Sequence, residues 1–147
     1  KNKINLIYDG KAFYVPENLY IIGMMNTADR SIAMIDYALR RRFSFYKMRP
    51  AFNNDGFKNY QGNASNELFD KVIEAIKQLN NEIENDLSLG EGFMIGHSYF
   101  CCDNPESIND LWVKNIISYE IIPLIEEYWF DNSEKIKEER SKLLNLL

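Results

Sequence analysis

Apolar and polar positions alternate over the first residues, with Ile4, Leu6 and Tyr8 on one side of the alternation. Asp9-Gly10 interrupts the pattern, and Phe13 and Val15 resume it. A period of two broken by an Asp-Gly pair predicts a β-hairpin. Pro16 leads into Leu19-Tyr-Ile-Ile-Gly-Met-Met25, an almost unbroken apolar run of the kind a strand covered on both faces requires. Asp36 is placed to cap a short helix through Tyr37-Ala-Leu-Arg-Arg, and alternation returns at Phe43–Met48, predicting another strand. Arg49-Pro50 ends this portion, because the residue before a proline is driven away from helical backbone. The Asn- and Gly-rich stretch from Asn53 to Ser65 is the expected boundary between two parts.

Beyond it the period changes. Leu68, Phe69, Val72, Ile73, Ile76, Leu79, Ile83 and Leu87 recur at helical spacing, predicting an amphipathic helix capped by Ser65 and broken at Gly90-Glu-Gly92. Phe93–Phe100 reads as an irregular connection. Ser107-Ile-Asn-Asp110 is a loose capping box opening a helix with Ile108, Leu111, Trp112 and Ile116, which Pro123 should kink or restart. A last helix from about Ser133 to Leu146 is strongly charged, and Glu134–Lys142 reads as a solvated face.

Composition narrows the function classes. In 147 residues, 46% hydrophobic and 14% aromatic content suffices for a core, which excludes a disordered chain. A net charge of −5 argues against this segment being a nucleic-acid surface in itself. Trp112, Tyr119, Tyr128, Trp129 and Phe130 lack interleaved cations, so they read as core and packing surface rather than a base-stacking platform. Cys101 and Cys102 are adjacent, an awkward spacing for a disulfide, and a single His makes a zinc site improbable: no metal ligands are assigned. No signal peptide or membrane-length apolar stretch occurs, so a cytoplasmic location is expected.

The polar cluster Asn26, Thr27, Asp29, Arg30 and Ser31 lies just past the carboxyl end of the 19–25 run, where open α/β sheets bind ligands. Thr27, Asp29 or Ser31 would equally cap a following helix. Residues 19–45, from Leu-Tyr-Ile-Ile-Gly-Met-Met-Asn-Thr-Ala-Asp-Arg-Ser to Leu-Arg-Arg-Arg-Phe-Ser-Phe, resemble the McrB family, the GTP-hydrolysing AAA+ subunits of 5-methylcytosine-specific restriction systems. Ile95-Gly-His-Ser-Tyr-Phe100 and Ile122-Pro-Leu-Ile-Glu-Glu-Tyr-Trp129 resemble it too, in the same order. One departure is Met24, where the family usually has Thr; it falls inside the expected strand and should alter packing rather than chemistry.

The resemblance implies an α/β fold: the C-terminal part of an AAA+ P-loop NTPase core, comprising the hairpin and last core strands, over residues 1–52. An all-helical lid subdomain would follow over 53–147. It also implies GTP and Mg2+ as nucleotide and cofactor, a homo-oligomeric ring (a hexamer), an McrC-like endonuclease subunit as partner, and DNA reached through domains outside this chain. No G-x-x-x-x-G-K-[S/T] phosphate loop occurs, since Gly10-Lys11 is followed by Ala12, and no acidic strand end is present to hold magnesium. This chain alone should therefore not hydrolyse nucleotide. A chaperone-like AAA+ ATPase and a non-catalytic ring-assembly module are the alternatives.

The same resemblance assigns site residues. Asn26 takes the sensor 1 post, where an amide offers donor and acceptor to an attacking water. Thr27, Asp29 and Arg30 complete the signature; Asp29 and Arg30 have a salt bridge or a subunit contact as alternative roles. Within Arg40-Arg41-Arg42 one cation would satisfy the helix dipole, and the resemblance implies an arginine finger, with Arg41 or Arg42 favoured. Gly96-His97-Ser98 occupies the place of a Gly-x-Arg sensor 2 but carries no arginine. His97 and Ser98 are the candidates for a nucleotide contact, against a reading in which His97 simply ties down the loop.

Overall fold

The computed structural model describes residues 4–8, 10–26 and 37–147. The hairpin is present: β1 (Ile4–Asn5) pairs antiparallel with β2 (Ala12–Phe13), Ile4 opposite Phe13. Gly10, at φ +66°, closes the turn by donating its N–H to the Leu6 carbonyl at 2.9 Å. The two strands expected at 19–25 and 43–48 do not form among the described residues, where both runs are open coil. Ile22 is 93% exposed and Met24 96%, with Tyr20, Tyr46 and Met48 similarly bare. Their pattern is that of a strand interior, but a strand exists only through its neighbours, and among the described residues none pairs with them. α1 (Tyr37–Arg40) is a single turn.

The remainder is helical. α2 (Asp55–Ala64) occupies the stretch expected to be a boundary loop. Asn54 caps it by accepting from the Gly56 N–H at 2.7 Å, while Phe57 and Ala64 are buried and Tyr60 packs beside them, enough to fix a helix despite two glycines. Ser65 ends α2 in the left-handed region (φ 47°) rather than beginning the next helix. α3 (Glu67–Asn85) is capped instead by Asn66, which accepts from Phe69 N–H at 2.8 Å. Asn109 and Asn132 cap α4 (Asp110–Ile116) and α6 (Ser133–Leu144) in the same way.

The α3 stripe is buried as expected from Phe69 to Ile83, whereas Leu87 lies past the helix end and is fully exposed. Pro123 does not break the chain's helical path. One π turn, Ile117–Ile121, joins α4 to α5 (Ile122–Tyr128), with the Ile122 N–H reaching the Ile117 carbonyl. The wider turn precedes the residue that lacks an N–H, so helix resumes around it. Val113, Ile117, Ile121, Ile122 and Ile125 all stay on the core side.

α6 exposes most of its charged residues, as expected, but Glu139 and Lys135 turn inward. Glu139 is only 2% exposed and pairs with Lys135 (2.9 Å) and Lys142 (2.7 Å), and both lysines also pair with Glu82 of α3. Mixed charges at helical spacing thus serve as an inter-helix clamp.

Candidate nucleotide-site and lid elements

Asn26 and the arginines Arg40, Arg41 and Arg42 lie in the exposed first part. Arg41 and Arg42 line a shallow surface recess with Ala38, and the Arg42 N–H bonds the Leu39 carbonyl at 2.9 Å. Basic side chains at the carboxyl end of α1 complement its dipole. Thr27, Asp29 and Arg30 lie outside the described residues, as does the Asp36 cap. Asn26 lies in exposed coil directly after the 19–25 run.

The helical half shows where the candidate lid residues go. His97 opens a 3-10 turn, His97–Phe100, and is half-buried. Its Nδ1 accepts the backbone N–H of Ala51 at 3.2 Å, leaving Nε2 as the ring nitrogen that can donate. The imidazole stands edge-on to Phe52 and Phe57, with ring centroids 6.2 and 5.8 Å away. Phe52 is itself buried among Phe57, Phe100 and His97. The loop-tying role thus has a definite partner, the chain leaving the exposed part. Ser98 is exposed, and its carbonyl accepts the Cys101 N–H at 3.2 Å.

Three more contacts hold the same connection. Lys47 Nζ lies 2.8 Å from Glu91, Arg49 Nε 3.5 Å from Glu91, and Arg49 also pairs with Glu84 of α3. The Lys47 ammonium holds the Glu91 carboxyl below its usual range. Residues 47–52, the exit from the arginine-bearing segment, are therefore fastened to the helical half.

Two residues that sequence reasoning passed over organise the segment carrying His97. Asn80, 2% exposed, donates Nδ2–H to the Ile95 carbonyl at 2.9 Å and accepts the Ile95 N–H at 2.6 Å. Tyr60 accepts the Cys102 N–H at 2.7 Å, and its phenol is pushed up to about 12 by burial and then by the Cys102 side chain. Burial also raises the Cys101 thiol, which disfavours a thiolate there. Asn80 was findable, since it falls within the apolar stripe; Tyr60 left no sequence signal.

Residues 71–137 match the family described as McrB, alpha-helical lid domain. The chain is McrB-like. It is 47% identical over 141 residues to the type IV methyl-directed restriction enzyme EcoKMcrB subunit of Escherichia coli (strain K12), an alignment that takes in 92% of this chain. The chain spans 31% of that relative's length. The helical unit built on α2 to α6 is consistent with a McrB lid, and the lid match begins inside α3 and ends inside α6. Among the described residues no group of three or more His, Cys, Asp or Glu side chains converges as a metal site, and no helix is long and apolar enough to cross a membrane.

Proposed function

We propose that this chain is the sensing and lid portion of a GTP-hydrolysing AAA+ motor subunit acting, as an oligomeric ring in the cytoplasm, in methylation-dependent restriction of DNA. Residues up to about 52 would complete an α/β core, with the 19–25 and 43–48 runs as strands once neighbours cover them. The observation that carries the reading is the 47% identity across 92% of this chain to a methyl-directed restriction subunit. The exposed strand-type runs and the docked helical unit support it.

In this reading the Asn26 amide orients the water that attacks the γ-phosphate, and Thr27, Asp29 and Arg30 shape the loop around it. Arg41 or Arg42 reaches the nucleotide of a neighbouring subunit, where a guanidinium stabilises charge developing on phosphate oxygens. Phosphate cradling and magnesium ligation fall to residues outside this chain, and no residue of this chain is assigned to the metal. An endonuclease subunit of the McrC type would cut the DNA.

The test uses the protein that joins this chain to a phosphate-loop half. It should turn over GTP, and Asn26→Ala should lower kcat at least about 100-fold while leaving GTP binding within a few-fold, as expected for a group that acts on the attacking water. Hydrolysis of ATP alone would remove the restriction assignment. Equal loss of binding and turnover would remove the sensing role of Asn26.

A further inference from the structure

The Gly96-His97-Ser98 turn stands where a residue reading the nucleotide would be expected, yet His97 is already engaged elsewhere. Its Nδ1 takes the Ala51 N–H at 3.2 Å, and its ring lies edge-on to both Phe52 and Phe57. The segment held in this way is the one that leaves Arg41 and Arg42, and Lys47 and Arg49 fasten it further through Glu91 and Glu84. The turn that presents His97 is itself pinned, because Asn80 holds Ile95 through both of its backbone groups. Asn80 of α3 thus holds the backbone two residues before His97, and His97 in turn holds Ala51.

We infer that His97 is a positioning residue for nucleotide hydrolysis: through Nδ1 it latches the backbone at Ala51, so that the helical unit and the arginine-bearing segment take a fixed relation to each other. It is not a phosphate reader. This inference rests on the hydrolytic function proposed above, and it separates the two nitrogens of one ring. A latch uses Nδ1 as acceptor; a contact with phosphate or base would use the Nε2–H as donor.

That difference gives the experiment. An Asn side chain places its Oδ1 near the position of Nδ1, whereas a Gln amide reaches the position of Nε2. His97→Asn, His97→Gln and His97→Ala are made in the protein with a complete nucleotide site. Amide hydrogen exchange at Ala51 is read without nucleotide, and Kd and kcat for GTP are read separately. The latch requires Ala51 to be protected in wild type and His97→Asn and to exchange at least about tenfold faster in His97→Gln and His97→Ala, the loss expected for an opened hydrogen bond. It also requires kcat to fall about tenfold or more in the latter two and return in His97→Asn, with Kd within about threefold throughout.

A Kd weakened in His97→Asn and restored in His97→Gln would overturn the latch in favour of a nucleotide contact. Equal Ala51 exchange in all four proteins would overturn it outright, as would unchanged kcat throughout. Should His97→Ala fail to fold, the Asn and Gln variants still decide between the two nitrogens. A wild type that hydrolyses no GTP would sink the proposed function, yet the exchange at Ala51 would still judge whether the latch exists.

Discussion

Asn80 sits four residues after Ile76 and three before Ile83, so the geometry of α3 turns it toward the core with them. A polar side chain there survives burial because both halves of its amide are matched by the N–H and C=O of Ile95. Replacing it by alanine strands two backbone groups at once, each costing about 1–3 kcal/mol when buried and unpaired. Asn80→Ala should therefore lose about 2–4 kcal/mol in urea unfolding of residues 47–147; a loss under about 1 kcal/mol would mean that water reaches Ile95. The spacing of Asn80 was legible in the sequence, but its partner was not. Ile95 lies in an irregular connection, and irregular backbone carries no period from which a contact can be read. His97 shows the same limit, since the bond to Ala51 spans a separation that no local pattern encodes.

Helices were easier to foresee than their ends. The stripe from Phe69 to Ile83 is long and strongly periodic, and it is buried as expected. α6 begins at Ser133 as expected, but the starts expected at Ser65 and Ser107 moved because Asn66 and Asn109 take the caps, and Asn and Ser differ too little in capping strength for sequence to choose. The end of α3 carries its own device. The Asp86 carboxylate accepts Ser88 Oγ–H (2.5 Å), Ser88 N–H (2.7 Å) and the Trp129 indole N–H (2.8 Å), joining the carboxyl ends of α3 and α5. These bonds, the Ser88 hydroxyl foremost, hold Asp86 down at about 2.

A carboxyl lowered in the folded state favours folding above its ordinary range and loses that contribution as pH falls toward 2. Its share is on the order of 1–2 kcal/mol once solvent screening is allowed for. Asp86→Asn should accordingly flatten the fall in Tm between roughly pH 5 and pH 2. An identical slope in the variant would show that this joint does not contribute to acid sensitivity.

At the scale of the whole molecule, two kinds of apolar pattern met different outcomes. The helical pattern found its partners within the chain: α2 to α6, with the connections at 91–100, bury one core from Phe52 to Leu143, and the Glu82, Lys135, Glu139 and Lys142 cluster closes it along α6. The strand-type pattern at 19–25 and 43–48 found none among the described residues, and it leaves Tyr20, Ile22, Met24, Tyr46 and Met48 bare. A hydrophobic pattern records an environment, and the sequence cannot say which polypeptide supplies it. Exposed runs of this kind exceed what a monomer ordinarily shows to water, and unpaired backbone beside them invites edge-to-edge pairing.

The two halves should therefore separate in behaviour. The full 147-residue chain should self-associate, with sedimentation that rises with concentration and strong binding of a hydrophobic dye. A shortened chain of residues 47–147 keeps Lys47, Arg49, Ala51 and Phe52 on their partners, so it should remain monomeric and melt in one cooperative step. Cutting at 53 instead removes buried Phe52 and the Ala51–His97 bond. Loss of a buried Phe side chain costs about 3–5 kcal/mol, so residues 53–147 should melt well below residues 47–147. Equal melting of the two shortened chains would show that the helical unit does not depend on the segment that leads into it.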